Sequence, residues 1–218
     1  PWIGGLIGCC IYFWKYLCRI YYIDTPCSTA IEMAIPLFIT GGFHVDGFMD
    51  TMDAIHSYGS RERKLEVLKD SHIGAFAVIM LIAYGLVVFG AFSEIEDKEL
   101  LKIVCSGFFL SRCLCGISAV SFPLAKREGT LFLFADSSHK KLVKAFLYLQ
   151  SMACIGFMIR CSFFAGMIVA ATALFALSYY FYHSRKEFGG ITGDTAGYFV
   201  LLCEGCMIIA AAFIEVFM

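Results

Sequence analysis

Residues 73–93, IGAFAVIMLIAYGLVVFGAFS, run for 21 positions without one charged side chain. A helix crosses the hydrocarbon core of a bilayer with about 20 apolar residues, so this stretch alone predicts a transmembrane helix. The rest of the chain agrees. Of its 218 residues 60% are hydrophobic, and the mean hydropathy is +0.77, which excludes an ordinary water-soluble domain. Apolar runs at 1–14, 27–43, 73–93, 103–122, 142–159, 161–182 and 198–218 predict seven spans. The run 27–43 is short and carries Glu32, and the split of 142–182 rests on its length and on Arg160, so six spans is the alternative. The expected fold is an all-α, polytopic integral membrane helix bundle forming a single membrane-embedded domain over 1–218. No secretory signal pattern is present. A start at Pro1 rather than Met predicts that the native N-terminal segment is missing from this sequence.

Charges lie mostly between the apolar runs. Loops after spans two, four and six hold ten basic residues: Arg61, Arg63, Lys64, Lys69, Lys126, Arg127, Lys140, Lys141, Arg185 and Lys186. The loops after spans one, three and five hold five: Lys15, Arg19, Lys98, Lys102 and Arg160. Positive charge favours the cytoplasmic side, so the first set is expected there. Most of the eleven cysteines sit inside apolar runs, where thiols act as small hydrophobes. The pair Cys203 and Cys206 has no second ligand pair, which disfavours a zinc or redox site.

Against this background GGFHVDGFMDTMDAIHS (41–57) stands out, because three aspartates fall within eight residues. Each costs about 2.5–3.5 kcal/mol near hydrocarbon. On a helix Asp46, Asp50, Asp53 and Ser57 project at about 0°, 40°, −20° and 20°, one narrow stripe. Carboxylates packed that closely repel unless a cation neutralises them. Magnesium suits the oxygen donors, and it commonly links carboxylates to substrate phosphates. His44 and His56 fall off the stripe, which argues against a histidine-rich zinc site. Glycines 41, 42 and 47 would let a ligand approach the backbone. A polar helix face at a membrane surface is the competing explanation.

Two further segments land on the same expected side. RERKLEVLKDSHIG (61–74) combines Leu65 and Leu68 with charges in the pattern of an interfacial helix, and it leads through Lys69, Asp70 and Ser71 into the next span. GGITGDTAG (189–197) spaces Gly189, Gly193 and Gly197 for close helix packing. Asp194 among them is an acid at a span entrance, and Glu204 lies deeper; intramembrane acids are functional candidates by default.

Together these segments resemble the adenosylcobinamide-GDP ribazoletransferase (cobalamin synthase) family. The family pattern GGxHxDGxxDxxDG with a following Ser is matched at Gly41, Gly42, His44, Asp46, Gly47, Asp50, Asp53 and Ser57. KDSHIG resembles the family's (K/R)DSRxG, Ser111-Arg112 a family Ser-Arg, KREG (126–129) a basic-Glu-Gly segment, and GGITGDTAG the family's GGxTGDxxG. Order and separation agree along essentially the whole chain. Ala54 departs from a family Gly, and His72 from a family Arg.

The resemblance implies a magnesium-dependent phosphotransfer, the late nucleotide-loop assembly step of cobalamin biosynthesis. Adenosylcobinamide-GDP and α-ribazole, or its 5′-phosphate, would give adenosylcobalamin, or its 5′-phosphate, and GMP. It implies catalytic roles for His44, Asp46, Asp50 and Asp53, with the three aspartates holding Mg2+. Ser57, Lys69, Asp70, Ser71, Arg112, Lys126, Arg127 and Asp194 would bind substrate. The expected location is a prokaryotic cytoplasmic (inner) membrane, with the site facing the cytoplasm and no nucleic acid involved. A homo-oligomer, or a complex with other cobalamin-assembly enzymes, stays open. Rival readings are a CDP-alcohol type phosphotransferase, whose Ala-Arg after the first Asp-Gly is replaced here by Phe48-Met49, and a transporter with a carboxylate-lined cation path.

Overall fold

The computed structural model describes residues 1–70, 72–125, 131 and 139–218. Ser71, Lys126 and Arg127, all candidates for substrate binding, lie outside the described residues. What is described is helical, with no named strand, only an isolated bridge between Leu124 and Ile191. The helices are α1 (Trp2–Tyr21), α2 (Thr25–Thr40), α3 (Phe43–His56), α4 (Arg61–Val67), α5 (Ala75–Ser93), α6 (Lys98–Ser121), α7 (Lys140–Cys161), α8 (Phe163–Phe188) and α9 (Gly193–Phe217). Six of them, α1 and α5 to α9, are long and apolar enough to cross a membrane. The chain is therefore a polytopic membrane helix bundle. The expected division of 142–182 is present, at Ser162 between α7 and α8.

The second expected span is the one that differs. At 16 residues α2 stops short, and α3 carries the chain onward. Between them Gly41 and Gly42 adopt φ of 64° and 78°, a left-handed conformation that costs a residue with a Cβ roughly 1–2 kcal/mol. A Cβ at either position would meet nothing within 4 Å. These glycines therefore serve a backbone break rather than a close approach.

Contacts sort the helix termini into two ends. At one end the Arg19 guanidinium donates to the Glu96 carbonyl, and the Asp97 amide donates to Glu215 at 3.1 Å. At the other, the end of α3 meets the start of α5, and Lys64 pairs with Glu187 at 2.5 Å. There too the backbone after α6 pairs with that before α9. This second end gathers the loops that hold the acidic and glycine-rich motifs. Helix α6 lies at the centre, with most of its side chains buried, whereas α5 and α7 keep Ile79, Leu86, Phe146 and Met152 exposed on their outer faces, as lipid-facing surfaces should be.

Where helices touch most closely, glycine allows it. A Cβ on Gly4 would lie 2.1 Å from the Phe108 carbonyl oxygen, and one on Gly8 would lie 2.2 Å from that of Cys105. These two, four residues apart, form the small-residue seam between α1 and α6. The expected seam at 189–197 is only partly of this kind. Gly189 caps α8 at φ 81° beside the Arg61 side chain, Gly193 faces open space, and Gly197 packs against the His44 backbone. Overpacking a tight seam costs about 1–3 kcal/mol. Gly8→Leu is accordingly expected to lower the unfolding temperature in detergent by several degrees, while Gly90→Leu, which points into open space, leaves it nearly unchanged.

Candidate functional site

The site is assembled where α3 crosses α9. Gly47 brings the two backbones together: a Cβ there would stand 2.6 Å from the Asp194 carbonyl oxygen. Phe48, one residue on, stacks on Tyr198 with ring centroids 5.8 Å apart. Helix α9 begins with a capping box, in which the Thr192 side chain accepts from the Thr195 amide at 3.2 Å and Thr195 Oγ1 accepts from the Thr192 amide at 2.8 Å. Thr195 is fully buried and lies 3.4 Å from the Tyr180 hydroxyl. This anchoring fixes Asp194 in the first turn of α9, and Asp46 occupies the first turn of α3. Helix N-termini favour negative charge, so each acid is placed where its helix supports it.

Asp50 is the focus of the acidic stripe. Burial raises its carboxyl, and the charges of Asp46, Asp194 and Asp53 raise it further, to about 6. Asp53 has a different setting. Its two oxygens accept from the Gly74 amide at 2.6 Å and the Ala77 amide at 2.9 Å, making it the N-terminal cap of α5. A Cβ at Gly74 would lie 2.5 Å from that carboxylate, so a side chain there would push the Asp53 carboxylate aside. Among the described residues, no three His, Cys, Asp or Glu side chains stand close enough to hold a metal ion together. The donors nonetheless fit a hard divalent cation, because mutual repulsion at Asp50 is what such an ion relieves. The carboxylates whose charges act on Asp50 are Asp46, Asp194 and Asp53. Asp53 is the expected ligand whose oxygens are already engaged.

His44 faces away from the stripe. It lines a cavity between α2, α3, α5, α6 and α9, and its Nδ1 is buried without a partner among the described residues. Burial, and secondarily the Arg112 cation, push its imidazole down to about 4, leaving it neutral near pH 7. Arg112 lines the same cavity and is ion-paired with Glu204 of α9. Ser111 donates to Glu204 at 2.9 Å, and Arg112 donates to Ser111 Oγ at 2.9 Å and to the Phe108 carbonyl at 3.2 Å. Glu204 thus neutralises the cation that the sequence suggested for substrate phosphate. The pairing was not legible from sequence, since the two lie 92 positions apart.

The remaining predicted residues fall at the edge of the site. Ser57 is exposed and donates to the Ala54 carbonyl at 2.8 Å, closing α3. Lys69 is exposed beyond α4. Asp70 accepts from the His72 ring at 2.6 Å, and that contact holds its carboxyl below the usual range. His56 is bonded to the Met52 carbonyl at 2.7 Å and stacked on Phe76. Ala54, the mismatch inside the motif, is fully buried and joins Leu68 and Phe188 in a small apolar cluster. Its methyl group packs α3 against α4 and the end of α8.

The Asp50 environment makes a prediction with a definite sign. A carboxyl whose folded pKa is raised favours folding below its unfolded value and loses that advantage as pH rises through the folded one. In detergent with chelator, Asp50→Asn should therefore unfold at a higher temperature than wild type above pH 6, with the gap shrinking through pH 5 and closing only below the ordinary carboxyl value of 3.8. A thermal shift series checks this, and added Mg2+ should narrow the gap at pH 8.

Known proteins resemble this chain along most of its length. The family profile for cobalamin-5-phosphate synthase matches residues 1–212. The adenosylcobinamide-GDP ribazoletransferase of Lachnoclostridium phytofermentans is 37% identical over 204 residues, covering 94% of this chain and 78% of that protein. The protein of the same name from Clostridium botulinum is 34% identical over 206 residues, covering 94% and 81%. That from Clostridium perfringens is 29% identical over 207 residues, again covering 94% and 81%. No solved structure matches the chain. With the motif order, the helix bundle and these matches in agreement, the chain belongs to the cobalamin-5-phosphate synthase family.

Proposed function

We propose that the chain is a magnesium-dependent transferase joining adenosylcobinamide-GDP to α-ribazole or its 5′-phosphate. Family membership supports the reaction, and the observation that supports the site is the group of carboxylates around Asp50 where α3 meets α9. An oxygen of the ribazole ribose attacks the phosphorus next to the cobinamide aminopropanol arm. The bond from that phosphorus to the bridging oxygen breaks, GMP leaves, and the hydroxyl proton passes to a base. Asp46, Asp50 and Asp194 would hold Mg2+, which would offset charge on the pyrophosphate and the departing GMP.

The base that takes the hydroxyl proton is one of the aspartates or His44. Its imidazole is neutral near pH 7, as an acceptor must be, although burial makes it a weaker base than a solvated histidine. Asp53 positions rather than ligates, by tying the end of α3 to the start of α5. Lys69 adds positive charge at the polar end of the bundle. The distribution of basic residues supports a cytoplasm-facing site in a prokaryotic inner membrane. A transporter is disfavoured, because the acidic stripe lies at one end of the bundle and the deeper Glu204 is already paired with Arg112.

The test is GMP release by purified protein given adenosylcobinamide-GDP, α-ribazole and Mg2+. Wild type should turn over, chelator should stop it, and Asp50→Ala should lower the rate at least 100-fold while unfolding at no lower a temperature than wild type. A folded wild-type protein that releases no GMP overturns the function. Near-normal turnover in Asp50→Ala removes Asp50 from the site.

A further inference from the structure

Arg112 is neutralised by Glu204, and of the other cations expected to meet substrate phosphate only Lys69 lies within the described residues. Lys69 is exposed and has no ion-pair partner among those residues. Its place is set by α4. The Lys69 amide donates to the Glu66 carbonyl at 2.9 Å, and the Asp70 amide donates to the Val67 carbonyl at 3.0 Å. Wherever α4 sits, Lys69 follows.

Helix α4 cannot hold itself. It has seven residues, none of them buried, whereas an isolated helix needs about 12–15 to be even marginally stable in water. Leu68, just beyond it, is buried with Ala54 and Phe188, and Leu65 and Val67 pack at the edge of that cluster. Apolar contact is non-directional, so the register of α4 falls to its polar attachments. Both reach the end of α8. Lys64 pairs with Glu187 at 2.5 Å, and the two side chains are only 12% and 16% exposed. Arg61 donates to the Arg185 and Lys186 carbonyls at 3.4 and 3.3 Å, in the last turn of α8, where a helix leaves acceptors to spare.

These attachments connect two motif loops. Helix α4 leads to Lys69 and, five residues later, to Gly74, whose amide donates to Asp53 at 2.6 Å. Five residues span at most about 18 Å, so Lys69 is tethered to the acidic stripe. Helix α8 leads through Gly189 to the capping box at Thr192 and on to Asp194. Lys64 and Glu187 thus join the segment carrying Lys69 to the segment carrying Asp194.

We propose that Lys64 and Glu187 are positioning residues of the transferase, their ion pair holding α4 where Lys69 meets the phosphates of adenosylcobinamide-GDP. The proposal rests on the transferase reading above. Neither residue touches substrate; each acts through the place it gives Lys69. A basic side chain that only added positive charge would stand in solvent, as Arg63 does at 65% exposure. Lys64 is instead turned onto a carboxylate that cancels its charge, so it contributes position rather than field.

Charge reversal provides the test. Lys64→Glu or Glu187→Lys puts like charges together, and the double reversal restores the pair with its ends exchanged. In steady-state assays of GMP release, each single reversal should raise KM for adenosylcobinamide-GDP at least fivefold. Its kcat and its KM for α-ribazole should stay within twofold of wild type, and the double reversal should bring the raised KM back to within twofold. Arg63→Glu, an equal charge change on the exposed face of α4, should leave all three constants within twofold. Lys69→Ala should raise the same KM, and adding Glu187→Lys to it should raise it no further. Glu187→Gln, which uncouples the pair without repulsion, should show the same split of KM from kcat and keep the wild-type unfolding temperature in detergent. An unchanged KM in Glu187→Gln or in a folded reversal, no recovery in the double reversal, or a further rise in the Lys69→Ala background overturns the assignment. A folded wild-type protein that releases no GMP would instead overturn the transferase reading itself, so the two failures are distinguishable.

Discussion

The backbone contact between α3 and α9 is the constraint on which the site depends. Without a side chain at Gly47, the first turn of α9 can press against α3 close enough for Asp194 to act on Asp50. Gly197 repeats the arrangement one turn later, against the His44 backbone. The capping box at Thr192 and Thr195 fixes where α9 starts, and the Gly41–Gly42 break fixes where α3 starts. Two helix N-termini, each with an aspartate in its first turn, are thereby aimed at one end of a membrane bundle.

That arrangement separates two kinds of chemistry on the faces of one short helix. One face of α3 carries charge that repels itself and invites a cation. The other turns His44 and Phe48 into the protein, toward an apolar cavity and a stack of aromatic rings. Asp53 holds the end of the helix by capping α5, and Ala54 holds it by packing beneath α4 and α8.

Much of this was legible in the sequence because it obeys simple periods. Long apolar runs gave the spans, and the spacing of Asp46, Asp50 and Asp53 put them on one stripe. What stayed hidden depends on partners distant in the chain. Nothing local in KDSHIG shows that Gly74 is the site where Asp53 caps a helix. The Arg112–Glu204 pair joins two spans, so each residue alone looked like a free charge. Glycines 41 and 42 read as room for a ligand but turned out to set a backbone break. The seam at Gly4 and Gly8 has the same four-residue spacing as Gly189, Gly193 and Gly197, so spacing alone does not show which glycines pack.

The central claim is that the carboxylates around Asp50 form a cation site, and binding of Mn2+ as a spectroscopic stand-in for Mg2+ tests it most directly. Electron paramagnetic resonance on detergent-solubilised protein at pH 7.5 should show bound Mn2+ displaced by Mg2+ in wild type. The affinity should fall at least tenfold in Asp50→Asn and in Asp194→Asn, and much less in Asp53→Asn. Equal Mn2+ binding in wild type and Asp50→Asn would contradict the account.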